Sequence, residues 1–327
     1  MMIKKGMFFG VFLLFLSFLL TGCRSGMGTG TEEFSRSGFY FDTSISIKIY
    51  DEQGEALLKK CFSLCNDLEY TFSRTLRDSE LYQVNHRSEN QVEISDDLAN
   101  VIGLGLEYGR KTNGAFDITI CPVAELWDFK SEDPEVPSAE ALKEALEKVD
   151  YTSVHLNENT LTFDRSDTML DLGAIAKGYA ADQLKKLLLE ANVKSAVINL
   201  GGNVQTIGAK PDGTPWNVGI QKPFAPSGET LAVVEVTDQS VVCTGVYERY
   251  FDLDGKRYHH VLDPKTGYPV ETDLDQITII CGESALADVL STSCLLLGEE
   301  QAKALLEENG FSNTWLHLDE RCAMIKQ

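Results

Sequence analysis

Four short stretches of this 327-residue chain combine residue types that could do chemistry. In Ala287-Asp288-Val289-Leu290-Ser291-Thr292, a carboxylate and a hydroxyl stand four residues apart, which places them on one face of a helix. Both are hard oxygen donors of the kind magnesium takes, with waters and substrate phosphates completing the octahedron. His259-His260-Val261-Leu262-Asp263-Pro264 puts two of the five histidines just before a turn containing Pro and Gly. A histidine held near a carboxylate can act as a general base at neutral pH. Asp171-Leu172-Gly173-Ala174-Ile175-Ala176-Lys177-Gly178 leads from an expected strand into an expected helix. Its small residues let the backbone approach a ligand, and a helix N-terminus offers free N–H groups to an anion. Lys177 is placed to reach a phosphate, and Asp171 to accept from a ring N–H or a ribose hydroxyl. The fourth stretch, residues 112–119, holds Asn113-Gly114 and Asp117. Taken singly, each has a plain structural alternative: a helix-end aspartate, a packed histidine, an ordinary strand–helix junction, a turn carboxylate.

The elements that must carry these residues follow from periodicity. Apolar stripes and caps predict helices at residues 54–72, 97–111, 138–149, 178–191, 285–297 and 299–309, with Gly298 dividing the last two. Alternation and β-branched runs predict strands at 40–50, 153–155, 160–163, 169–172, 195–200, 216–221, 230–236, 240–244, 247–253, 277–280 and 313–318. Long helices mix with runs of strands, and the βαβα alternation of a doubly wound sheet is missing. The expected class is therefore α+β, a single domain of largely antiparallel sheet with packed helices.

The N-terminus reads as an export signal. Lys4 and Lys5 precede a nearly unbroken apolar run from Met7 to Leu20, and Leu20-Thr21-Gly22-Cys23 follows. The run suits a signal peptide and is shorter than the roughly 20 residues a spanning helix needs. This predicts a lipoprotein: a signal over 1–22, lipidated Cys23 opening a flexible glycine-rich tether over 23–35, and a domain over 36–327 outside the cytoplasm, anchored to the cell membrane. The net charge of -21 argues against nucleic acid as a partner. It also means that a phosphate-rich ligand needs a local cation. Seven further cysteines show no metal-ligand spacing, and their odd number argues against a complete disulfide framework. Cys61 and Cys65 share the stripe of Leu57, Leu58 and Leu68 and read as small core residues.

Together and in this order, GAFD, DLGxxAKGYAxD, NLGGN, YERYF with HHxxDPxTGYP, and ADxLST resemble the ApbE family of FAD:protein FMN transferases. The resemblance runs from about Phe39 to Cys322. It implies that Ala115, Phe116, Asp117, Asp171 and Lys177 line the flavin site, and that Leu262 packs on the nucleotide. It also implies that Asp288, Thr292 and the Ala174 carbonyl bind Mg2+. By the same likeness His260 is the expected base, with Asp263 orienting it. Phe41 and Thr75 occupy flavin-contacting positions but depart from the family pattern, which often has Met-Gly-Thr at the first and an aromatic near the second. Ser291 stands where some relatives carry another carboxylate. The implied reaction is magnesium-dependent transfer of FMN from FAD to a threonine or serine hydroxyl of an exported flavoprotein, with release of AMP. Two alternatives share these residues: an FAD pyrophosphatase giving FMN and AMP, and a flavin-binding lipoprotein without chemistry.

Overall fold

In the computed structural model, strand pairing begins at Glu33. The structure describes residues 32–129, 131, 133–226, 228–311 and 315–318. The expected signal, Cys23 and most of the tether lie outside the described residues. The expected tether ended at residue 35, whereas the first strand already starts at Glu33. Residues Thr31–Gln327 cluster as one unit.

The strands are β1 (Glu33–Tyr40), β2 (Thr43–Tyr50), β3 (Gln91–Glu93), β4 (Val154–Asn157), β5 (Thr160–Phe163), β6 (Ala196–Leu200), β7 (Asn203–Ile207), β8 (Trp216–Gln221), β9 (Thr230–Val236), β10 (Ser240–Gly245), β11 (Tyr250–Leu253), β12 (Lys256–His259), β13 (Gln276–Cys281) and β14 (Trp315–Leu318). The helices are α1 (Gly54–Phe72), α2 (Glu80–Asn85), α3 (Asp96–Lys111), α4 (Cys121–Ala124), α5 (Ala139–Leu146), α6 (Ala176–Glu190) and α7 (Ser284–Glu308). The main sheet has the order β1-β2-β6-β7-β10-β13-β14, and every neighbouring pair is antiparallel. Side chains alternate between its faces with period two. Ile45, Ile47, Ile49, Ile198 and Ile279 join residues of α1, α3, α6 and α7 in the main core. On the opposite face Tyr50, Val197, Val204 and Ile280 pack against Trp216, Val218 and Val236 of the β8–β9 ribbon. The α+β expectation holds.

Several boundaries differ for identifiable reasons. The expected strand at 40–50 is the second half of a hairpin, because Phe41 and Asp42 both take positive φ (53° and 59°) and turn the chain. That geometry usually calls for Asn-Gly or Asp-Gly, and Phe-Asp gives no such signal. The expected strand at 247–253 is shorter, and Asp254-Gly255 turns it into the β11–β12 hairpin. Residues 169–172 form no ladder. Leu170 is held by Asn85 instead, whose side chain accepts from Leu170 N at 2.8 Å and donates to its carbonyl at 2.9 Å. The expected break at Gly298 is present, with φ 74° and ψ 171° inside α7. Cys61 and Cys65 lie in the main core as free thiols, and burial pushes both up to about 12. Cys322 lies outside the described residues.

Candidate active site

The crossing of α6 and α7 frames the site. A Cβ on Gly178 would collide with the Ser284 carbonyl and lie 2.7 Å from Ala285 Cα, so only glycine lets the two backbones approach so closely. Glu283, ahead of α7, gives no side-chain cap. Asp182 of α6 reaches across and accepts from Ser284 N and Ala285 N, each at 2.8 Å. It thereby satisfies donors that a helix start leaves open. Burial raises the Asp182 carboxyl to about 6 against these bonds. Asp288 returns the contact: its Oδ2 accepts from Gly178 N at 2.9 Å. Thus the last Asp of the DLGxxAKGYAxD stretch and the first of the ADxLST stretch lock two helices to each other.

Asp288 and Thr292 both face a cleft of about 970 Å³, lined also by Ala174, Lys177, Asn203, Glu248 and His260. Asp288 is only 2% exposed, and burial raises its carboxyl while Lys177, Gly178 N–H and Asn203 oppose the rise. Lys177 Nζ lies 4.0 Å from Asp288 Oδ2 and donates to the Gly173 carbonyl at 3.1 Å. Among the described residues no three His, Cys, Asp or Glu side chains group together as a metal site. The oxygen donors that the resemblance implies, the Asp288 carboxylate, the Thr292 hydroxyl and the Ala174 carbonyl, belong to residues that all line this cleft. Such a set fits magnesium, which keeps waters and phosphate oxygens in its shell and needs few protein ligands. Ser291 is not part of that set. Its hydroxyl donates to the Asp288 carbonyl at 2.9 Å and shares a 2.7 Å bond with Thr244.

His260 lines the same cleft. Its Nδ1 lies 3.3 Å from the Arg249 carbonyl, so the Nδ1–H tautomer donates there and leaves Nε2 as an acceptor. Burial first, then Arg249, His259 and Lys177, lower the ring to about 3, so it is neutral at physiological pH. Asp263 does not orient it. That carboxylate accepts from Lys265 N at 2.9 Å and from the Thr266 hydroxyl at 3.1 Å, closing its own Pro-Lys-Thr-Gly turn. A side chain two or three residues from free backbone donors satisfies them before it reaches a more distant ring. The turn is pinned by Trp127, whose Nε1 donates to the Gly267 carbonyl at 2.8 Å. Leu262 emerges 8% exposed against the cluster of Trp127 and Phe251, on the cleft wall.

The remaining expected residues divide. Phe41, Thr75, Phe116, Asp117 and Asp171 line the cleft, and Ala115 does not. The Asp117 carboxylate is consumed internally by Thr119 N, the Thr119 hydroxyl and Tyr151 N. Asp171 accepts from Gly173 N at 2.8 Å and pairs with Arg74 Nε at 2.9 Å. Arg74, Asn203 and Glu248 were not anticipated as site residues. Burial and the nearby Asp288 charge raise Glu248 to about 7, against the pull of Lys177 and Arg249. The available signal for Asn203 was its place directly after Gly201-Gly202; for Glu248 and Arg249, it was two adjacent charges between strands.

The ApbE family model matches residues 41–314. An FAD:protein FMN transferase from Treponema pallidum is 35% identical over 296 residues, covering 84% of this chain and 82% of its own. One from Klebsiella pneumoniae is 34% identical over 278 residues, covering 84% and 86%. Among solved structures, the flavin transferase ApbE from Vibrio cholerae superposes with TM-score 0.80 at 26% identity, covering 88% of this chain and 94% of its own. The ApbE protein from Thermotoga maritima gives 0.81 at 29% identity, covering 90% and 97%. By family model, by relatives and by fold, this chain belongs to the ApbE family.

Proposed function

We propose that this chain is a magnesium-dependent FAD:protein FMN transferase that moves FMN from FAD onto a threonine or serine hydroxyl of an exported protein and releases AMP. The observation that carries the reading is the convergence of Asp288, Thr292, Lys177 and His260 on one cleft in a member of this family. Asp288, Thr292 and the Ala174 carbonyl are the residues that would hold magnesium, which supplies neutralising charge for a diphosphate. Lys177, at the start of α6, adds a second positive charge beside it. The acceptor oxygen forms a bond to the FMN-side phosphorus while the phosphorus–oxygen bond to AMP breaks, and AMP leaves with the electron pair.

In this reading His260 Nε2 takes the hydroxyl proton, aimed by the Nδ1–H bond to the Arg249 carbonyl. The diphosphate's own negative charge offsets the cations that depress the ring, moving its basicity toward the working pH. A lipid on Cys23 would hold the domain at the outer face of the membrane, where exported flavoproteins reside. Mass spectrometry of an exported flavoprotein domain incubated with the soluble body, FAD and magnesium tests the reading, with EDTA as control. The expected outcome is a metal-dependent gain of one FMN on a hydroxyl residue, reduced about 10²-fold or more in His260→Ala. FMN and AMP without any adduct would mean hydrolysis, and intact FAD would mean binding alone.

A further inference from the structure

Asn203 is the least explained polar group in the cleft. It opens β7 immediately after Gly201 and Gly202, whose φ values of 62° and 104° make a two-residue hairpin turn. The turn is tightly confined, since a Cβ on Gly201 would collide with Thr43. It closes through the main-chain pairing of Leu200 with Asn203. The other asparagine of the same stretch, Asn199, serves the turn directly: its Oδ1 accepts from Gly202 N at 3.1 Å. Asn203 has no such duty. Its side chain is 1% exposed, and its Nδ2 has no hydrogen-bond partner. The residue lines the cleft with its amide turned toward the Asp288 carboxylate, whose charge it favours without closing a bond of full hydrogen-bond geometry. A buried donor left without an acceptor is unusual in a folded protein.

We propose that the Asn203 side-chain amide is a substrate-binding group whose Nδ2 donates to a non-bridging oxygen of the FAD diphosphate beside Asp288. The proposal rests on the transferase reading and deepens it by naming a neutral donor for the diphosphate. Lys177 supplies charge to that group, and Asn203 supplies direction: a rigid amide on a confined turn fixes where one phosphate oxygen sits.

The test compares FAD with riboflavin, which lacks phosphate, by flavin-fluorescence titration of wild type, Asn203→Ala and Asn203→Asp, with magnesium and with EDTA. Both variants are expected to bind FAD about tenfold or more weakly while riboflavin affinity stays unchanged. Asn203→Asp is expected to be the weaker in EDTA, because it sets a second carboxylate against the diphosphate. Unchanged FAD affinity in Asn203→Ala overturns the proposal. So does an equal loss for FAD and riboflavin, which would make Asn203 a support for the turn. If wild type itself binds FAD no tighter than riboflavin, the cleft does not hold a diphosphate and the transferase reading fails with it.

Discussion

At the crossing of α6 and α7, nearly every polar group has a named partner: Asp182 with Ser284 and Ala285, Asp288 with Gly178, Ser291 with Thr244. At the opposite rim, formed by the β1–β2 turn and the segment after α1, the bonding is looser. Thr75 is exposed, and its hydrogen bonds among the described residues run to Ser73. Phe41 sits at positive φ with its N–H on Glu69, and Asp171 is held by Arg74 rather than by backbone alone. On the proposed reading the crossing would hold a diphosphate and a divalent ion, whose chemistry tolerates little displacement. The rim would hold a planar ring, which any apolar or planar surface can cover. Substitution is therefore expected to cost more at the crossing than at the rim.

The largest expected effect breaks the crossing. Gly178→Ala would drive a methyl group into the α7 backbone, costing about 1–3 kcal/mol or more and displacing Asp288. Thermal melting followed by circular dichroism, together with FMN transfer, checks it. A variant that melts and transfers like wild type would show that this contact is not the frame of the site.

A second test uses pH. Asp182 is raised from its ordinary value to about 6 in the folded chain, so the folded state holds its proton more tightly than the unfolded state. Its contribution to stability is full below about 4 and is lost as pH rises through about 6. Glu248 acts in the same direction up to about 7, whereas His259, lowered to about 4, and His260 lose stability as pH falls below 6.5. Because these titrations overlap in pH, the informative quantity is the difference between Asp182→Asn and wild type. That difference should move in favour of the variant between pH 4 and 6 in urea titrations. A pH-independent difference would mean that the carboxylate is fully ionised at its cap.

The smallest expected effect sharpens the rim. Thr75→Trp places an aromatic beside the cleft at little structural cost, and a stacking gain of about 0.5–1.5 kcal/mol predicts FAD binding roughly 2–10-fold tighter. Fluorescence titration reads it, and unchanged affinity would mean that the flavin ring does not reach this segment.

What was legible in the sequence was mostly local. Long helices, the break at Gly298 and the pairing of Asp288 with Thr292 follow from periodicity and spacing, because a helix places residues four apart on one face whatever surrounds it. The order of the motifs carried the family, and the missing βαβα alternation carried the α+β class. The hairpin at Phe41-Asp42 was invisible, because those residues adopt left-handed backbone under the constraint of their neighbours and not from their own preference.

Only the tertiary structure decided which motif residues face the cleft and which hold the frame. Asp117, Asp182, Asp263 and Asp288 are all aspartates in specific motifs. Three of them spend their carboxylates on backbone N–H groups or turn hydroxyls. Asp117 and Asp288 both line the cleft, and Asp288, which also accepts from Gly178 N, lies there 4.0 Å from Lys177. A carboxylate's chemistry is the same in each case. Its role is set by which donors and charges the fold brings within reach, and those come from residues up to about a hundred positions away, as Gly178 does for Asp288.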